Sequence, residues 1–124
     1  MPLPLLVVDA ANVVGSVPDG WWRDRAAAAT RLRDSLATVA EHGLPPFHDG
    51  PLDVVLVVEG KARHVESTPA VRVVAADASG DDKIVEVVRT DPEDRPRAVV
   101  TADRDLRRRV TELGAEVLGP RSVR

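Results

Sequence analysis

Short apolar runs bounded by polar or turn-forming residues set the rhythm of the chain. Leu5 to Val8, ending in Asp9, Leu52 to Val58, Val71 to Ala75 and Ala98 to Thr101 are continuous rather than alternating in character. That is the pattern of strands buried on both faces, as in a parallel sheet. Glu116 to Leu118, before Gly119-Pro120, supplies a short last strand. Between the runs the apolar period lengthens. After a long loop following the first strand, Arg23 to about His42 carries Ala28, Leu32, Leu36 and Val39 on one helical stripe, stopped by Gly43 and Pro45-Pro46. Asp81 to Arg89 is a short helix with Ser79-Gly80 as its start signal. Asp103 to Leu113 is another, with Leu106, Val110 and Leu113 on one face and Gly114 closing it. The link from 59 to 70 is long enough for a crossover but too interrupted by proline and charge to form a full helix.

Strands alternating with helices predict an α/β domain with a mostly parallel central sheet of four to five strands. No repeat, low-complexity tract or linker divides the chain, so its 124 residues read as a single domain, 1–124.

Composition narrows the chemistry. Hydrophobic residues make up 44% and charged residues 30%, which is globular. No apolar run approaches the ~18 residues of a membrane span. The opening stretch Leu3 to Val8 contains Pro4, ends in Asp9 and lacks a positive n-region, so a cytoplasmic protein is expected. With no cysteine and three scattered histidines, His42, His48 and His64, any metal must be held by oxygen. The net charge of −3 argues against binding nucleic acid by positive field alone, yet fifteen of the seventeen basic residues are arginine, whose planar fork suits phosphate. Trp21, Trp22 and Phe47 are the only aromatics, too few for a broad stacking surface.

Acids gather where the strands end. In parallel sheets, ligands collect outside the carboxyl ends of the strands, near the point where strand order reverses. Asp9 ends the first strand with Asn12 beyond it, Glu59 ends the second, Asp77 follows the third, Asp81 and Asp82 open the next helix, and Asp103 and Asp105 follow the fourth. Should the first and fourth strands be neighbours, Asp9 and Asp103 face each other across the crevice. Converging carboxylates repel, and a divalent cation resolves the conflict; an all-oxygen set favours Mg²⁺ or Mn²⁺. Taken singly, Asp81, Asp82, Asp103 and Asp105 each read first as helix caps. Their joint occurrence with Asp9 at one edge is what points to a site.

Three blocks in this order, Val7-Val8-Asp9-Ala10-Ala11-Asn12-Val13-Val14-Gly15, Gly80-Asp81-Asp82-Lys83-Ile84 and Val99-Val100-Thr101-Ala102-Asp103-Arg104-Asp105, resemble the NYN domains, the YacP-like branch of the PIN-like ribonucleases. The resemblance spans the first strand to Pro120. It implies a three-layer α/β/α sandwich and a Mg²⁺- or Mn²⁺-dependent ribonuclease that cleaves RNA to a 3′-hydroxyl and a 5′-phosphate. Asp9, one or both of Asp81 and Asp82, and Asp103 match the family's metal ligands, with Asp105 a further candidate. Asn12 matches its asparagine, expected to fix Asp9 or a phosphate, and Thr101 its small hydroxyl residue. Catalytic roles fall to Asp9, Asn12, Asp82 and Asp103, and substrate contacts to Asn12, Thr101, Arg104, Lys61, Arg23 and Trp22, with Arg63 and Lys83 as further cations. The family's additional acid has no match at the active edge, because Glu41 lies at the far end of the long helix; Glu59 or Asp105 is the substitute. PIN-like folds often pair, which extends the expectation to a homodimer.

Two rivals remain from the sequence. A non-catalytic RNA-, nucleotide- or protein-binding module on the same fold accounts for the negative charge and scarce aromatics. Val57-Val58-Glu59-Gly60-Lys61 and Asp103-Arg104-Asp105 also resemble the Toprim motifs, but that reading leaves Asp9 and Asn12 unexplained. A nucleotide phosphohydrolase would share the metal site.

Overall fold

A computed structural model describes residues 2–92 and 94–124. Its sheet has five strands, β1 (Leu5–Asp9), β2 (Asp53–Val58), β3 (Val71–Ala75), β4 (Arg97–Val100) and β5 (Glu116–Leu118), in the order β3-β2-β1-β4-β5. Every pairing is parallel, so all carboxyl ends share one edge. β1 sits at the centre, its Val7 opposite Val55 on one side and Val99 on the other. The first and fourth strands are therefore neighbours, and strand order reverses between them.

Side chains alternate across the sheet, which explains the unbroken apolar runs. Leu6, Val8, Leu56 and Val100 face one layer, formed by α1 (Ala10–Val14) and α2 (Arg25–His42). Leu5, Val7, Val55 and Val99 face the other, formed by α3 (Gly80–Thr90) and α4 (Arg104–Glu112) through Ile84, Val88, Leu106 and Val110. This is the α/β/α sandwich expected, with the sheet wholly parallel. Among the described residues no helix is long and apolar enough to cross a membrane.

Two features depart from the sequence reading. The segment after β1 is not a loop from its start: Asp9 caps α1, five residues too short to show a helical period and ending in two β-branched valines of low helix propensity. The β2–β3 link lacks a helix, as expected, and makes only a 3₁₀ turn at Gly60–Ala62. Beyond it the Ser67 hydroxyl accepts from the Val73 N–H at 2.8 Å and Thr68 Oγ1 from the Val71 N–H at 3.1 Å. These bonds hold the link as a strap beside the edge strand, and Pro69 cannot donate to a helix there.

Candidate active site

Four helices begin with side-chain caps at the carboxyl edge of the sheet. Asp9 caps α1, Ser79 caps α3 and Asp103 caps α4, each accepting from a backbone N–H. Asp24 does the same for α2. A caps-only account would be complete if each acid were satisfied by its helix. Asp9 is not so simple.

Asp9 is 5% exposed, and it and Thr101 are the buried polar residues of the described chain. Its Oδ1 accepts from the Asn12 N–H at 3.3 Å and its Oδ2 from the Thr101 hydroxyl at 2.9 Å. No cation pairs with it among the described residues. Burial pushes its carboxyl up from 3.8 to about 6, and Asp81 and Glu59 add repulsion, while the Thr101 and Asn12 bonds pull the other way. Asp81 is also raised, by burial first and then by Asp103 and Glu59, against the pull of Arg109. Asp9 thus feels the charge of Asp81 and Glu59, and Asp81 that of Asp103 and Glu59, acids from four separate segments of the chain.

The remaining bonds tie this group together. Thr101 Oγ1 accepts from the Asp103 N–H at 3.2 Å while donating to Asp9, so one hydroxyl joins the acids of β1 and α4. The Asn12 side chain reaches Ala102 rather than Asp9: its Oδ1 accepts the Ala102 N–H at 2.9 Å, and only its backbone N–H serves the carboxylate. Glu59 Oε2 accepts from the Gly80 N–H at 2.8 Å. A Cβ at position 80 would stand 3.1 Å from the Glu59 carboxyl carbon, so glycine there permits the approach. Asp103 Oδ1 accepts from the Leu106 N–H at 2.9 Å, which leaves Oδ2 without a hydrogen bond among the described residues.

The expected residues divide cleanly. Asp9, Asp81 and Asp103 lie at one edge, where Glu59 repels both Asp9 and Asp81. Asp82 turns outward to an ion pair with Arg109 at 3.0 Å, its side chain 72% exposed. Asp105 turns outward to Arg108 at 2.7 Å. Thr101 is buried and its hydroxyl is committed, which suits a support for the acids better than a surface for substrate. Arg104 and Lys61 are exposed near the edge and carry no ion pair among the described residues, whereas Lys83 is occupied by Glu86 at 3.4 Å. Arg23 stands 5.9 Å from the ring of Trp22, which is half-exposed.

Helix phase separates the two acids of each pair, a signal the sequence does contain. Asp81 lies three, four and seven residues before the buried Ile84, Val85 and Val88, on the extension of the core stripe to the sheet edge. Asp103 lies three and seven before Leu106 and Val110. Asp105 falls off its stripe, and Asp82 has such a spacing to Val85 alone.

The donor set is hard oxygen, and a buried carboxylate without a cation suits a divalent ion. In this conformation no three acids or histidines among the described residues close on a single point tightly enough to hold an ion. Glu59 Oε1, Asp103 Oδ2 and the Asp81 carboxylate make no hydrogen bond or ion pair among the described residues.

Replacing Thr101 by Val, of similar shape, tests the support. Both hydroxyl bonds vanish, at a cost of about 1–3 kcal/mol. Because the hydroxyl bond favours ionised Asp9, its carboxyl should titrate above 6 in the variant, and an NMR titration of the Asp9 side chain reads the shift.

The sequence matches no known protein-family profile and no curated protein. Its fold does match solved structures. Rae1 (YacP) from Bacillus subtilis superposes with a TM-score of 0.73 at 17% identity, over 96% of this chain and 70% of that one. A point mutant of the same protein gives 0.71 at 19% identity, over 98% and 72%. What is shared at this identity is the PIN-like α/β/α fold.

Proposed function

We propose that the chain is a Mg²⁺- or Mn²⁺-dependent ribonuclease, hydrolysing RNA phosphodiester bonds at the carboxyl edge of the sheet. The observation that carries this reading is the convergence of Asp9, Glu59, Asp81 and Asp103 at the β1–β4 switch point, with Asp9 buried and lacking a cationic partner among the described residues. A site built only to hold phosphate has no use for carboxylates, which repel it. The resemblance of the three sequence blocks to NYN domains and the fold shared with Rae1 (YacP) support the same reading.

Asp9, Asp81 and Asp103 would hold the ion, with Glu59 beside them. The ion, when bound, supplies Lewis-acid polarisation of the phosphate and a lowered pKa for water. The chain itself does the rest. Thr101 and the Asn12 N–H fix the Asp9 carboxylate, and Asn12 Oδ1 anchors the loop that carries Asp103. Its side-chain NH₂ remains as a donor to a substrate oxygen. Arg104 and Lys61 attract the RNA backbone in an otherwise acidic protein.

The test compares paired acids. With labelled single-stranded RNA and Mn²⁺, Asp81→Asn and Asp103→Asn should each lose at least about 100-fold in cleavage rate, whereas Asp82→Asn and Asp105→Asn stay within about threefold. Equal effects within each pair, or cleavage that survives the Asp81→Asn, Asp103→Asn double variant, would overturn the assignment. The open spacing of the acids favours a second reading, an RNA-binding module without catalysis. It predicts RNA binding, no cleavage, and no rise in melting temperature with millimolar Mn²⁺.

A further inference from the structure

A pocket of about 280 Å³ opens directly beside the acids, and the mechanism above makes no use of it. Its lining includes Ala10 and Ala11 at the start of α1, Val14, Trp21, Arg25 and Glu59. Two of these join it to the site: Ala10 follows Asp9 in the chain, and Glu59 belongs to the acid group. We propose that this pocket receives one unstacked nucleobase of the RNA strand and so sets the phosphodiester over the acids. This deepens the ribonuclease reading and rests on it.

The chemistry of the lining selects the occupant. Trp21 supplies a partly buried aromatic wall. The Trp22 ring stands edge-on to it at 6.0 Å and 87°, and the Arg25 guanidinium carbon lies 5.3 Å from its centroid. A tryptophan beside a planar guanidinium offers flat surfaces on which a base stacks. Glu59 places a carboxylate in the same wall, with Oε2 occupied by the Gly80 N–H. That charge repels a phosphate and accepts from the N–H edge of a neutral base. The volume lies near the lower bound of the ~300–1,000 Å³ typical of small-molecule pockets, which suits a single base. Trp22, the aromatic expected from sequence to contact substrate, is not in this lining, which holds Trp21 instead.

The pocket is separable from the chemistry. In a Trp22→Phe protein, Trp21 is the sole fluorophore of its kind, and a short RNA added in EDTA should quench its emission to saturation. Nucleoside monophosphates should quench weakly. Ala11→Leu, at an exposed α1 position, fills the pocket from its rim and should abolish the quenching while leaving the melting temperature unchanged. In cleavage, loss of stacking on one base corresponds to about a 5- to 150-fold rise in KM for Trp21→Ala, with kcat much less affected. Trp21→Phe should recover most of it. An RNA with one abasic nucleotide at the bound position should lose the same factor with the wild type and little more with Trp21→Ala. Wild-type binding and KM in Ala11→Leu and Trp21→Ala would overturn the pocket and leave the ribonuclease standing. Quenching and abasic sensitivity of binding without cleavage of any RNA would sustain the pocket and overturn the ribonuclease. Mononucleotides binding as tightly as RNA would overturn the strand as occupant.

Discussion

Asp9→Asn should yield a protein that is more stable than the wild type at neutral pH and has lost at least about 100-fold in RNA cleavage. The stability gain follows from the direction of the titration. Folding raises the Asp9 carboxyl from 3.8 to about 6, so the folded state binds this proton more tightly than the unfolded state. Below pH 3.8 both states are protonated and nothing is lost. As the pH rises through 6 the folded state comes to hold a buried charge, and the penalty reaches about 3 kcal/mol above that. Asn keeps the shape and the α1 cap but cannot ionise. It disrupts the acceptor for the Thr101 hydroxyl, a loss of about 1 kcal/mol. The net expectation is a gain of about 2 kcal/mol at pH 8, or roughly 5–10 °C in melting temperature, falling to nothing at about pH 4.5 and becoming a loss of about 1 kcal/mol at lower pH. Mn²⁺ should raise the melting temperature of the wild type and not of the variant. A variant less stable than the wild type at pH 8 would make Asp9 a structural cap and remove the main support for the site.

Much of this was legible in the residues because it depends on local periodicity. The apolar runs of β1 to β4 are unbroken since helices cover both faces, and their acidic ends share an edge since every strand is parallel. Strand order is a different matter. The centrality of β1 comes from pairing with β2 on one side and β4 on the other, contacts separated by more than forty residues, so proximity of Asp9 and Asp103 could be stated only conditionally. α1 escaped notice because five residues hold barely more than one turn. The role of Glu59 was obscured for a similar reason: its partner is the Gly80 N–H across the sheet edge, and the small residue that admits it looks like an ordinary helix start. Trp21 reaches the site through the turn at Gly20, whose φ of 84° redirects the chain into a 3₁₀ turn. No hydrophobic period reports such a reversal.

The opposite edge of the sheet supplies the contrast that gives the acid group its meaning. There Arg95 grips Asp91 with two hydrogen bonds, at 2.9 and 3.0 Å, and reaches Asp53 at the start of β2 at 2.9 Å. Arg97, at the start of β4, donates to Asp91 at 3.0 Å. The Asp91 side chain is 4% exposed, and the guanidinium bonds hold its carboxyl below the usual range. The opposite shifts separate an acid neutralised by two arginines from one that is buried without a cation. Arg95→Met should therefore lose about 3–5 kcal/mol, toward the lower figure because Arg97 still pairs with Asp91. The melting temperature should drop by roughly 10–20 °C. The sign of the pH dependence is also reversed from that of Asp9. A depressed carboxyl contributes stability above its unfolded pKa and loses it as the pH falls, so the wild type should weaken below about pH 4 and the variant should show a flatter acid limb. Cleavage assayed well below the lowered melting temperature should be unchanged, because these residues lie across the sheet from the acids. Loss of activity in a folded Arg95→Met protein would move the site to the wrong edge.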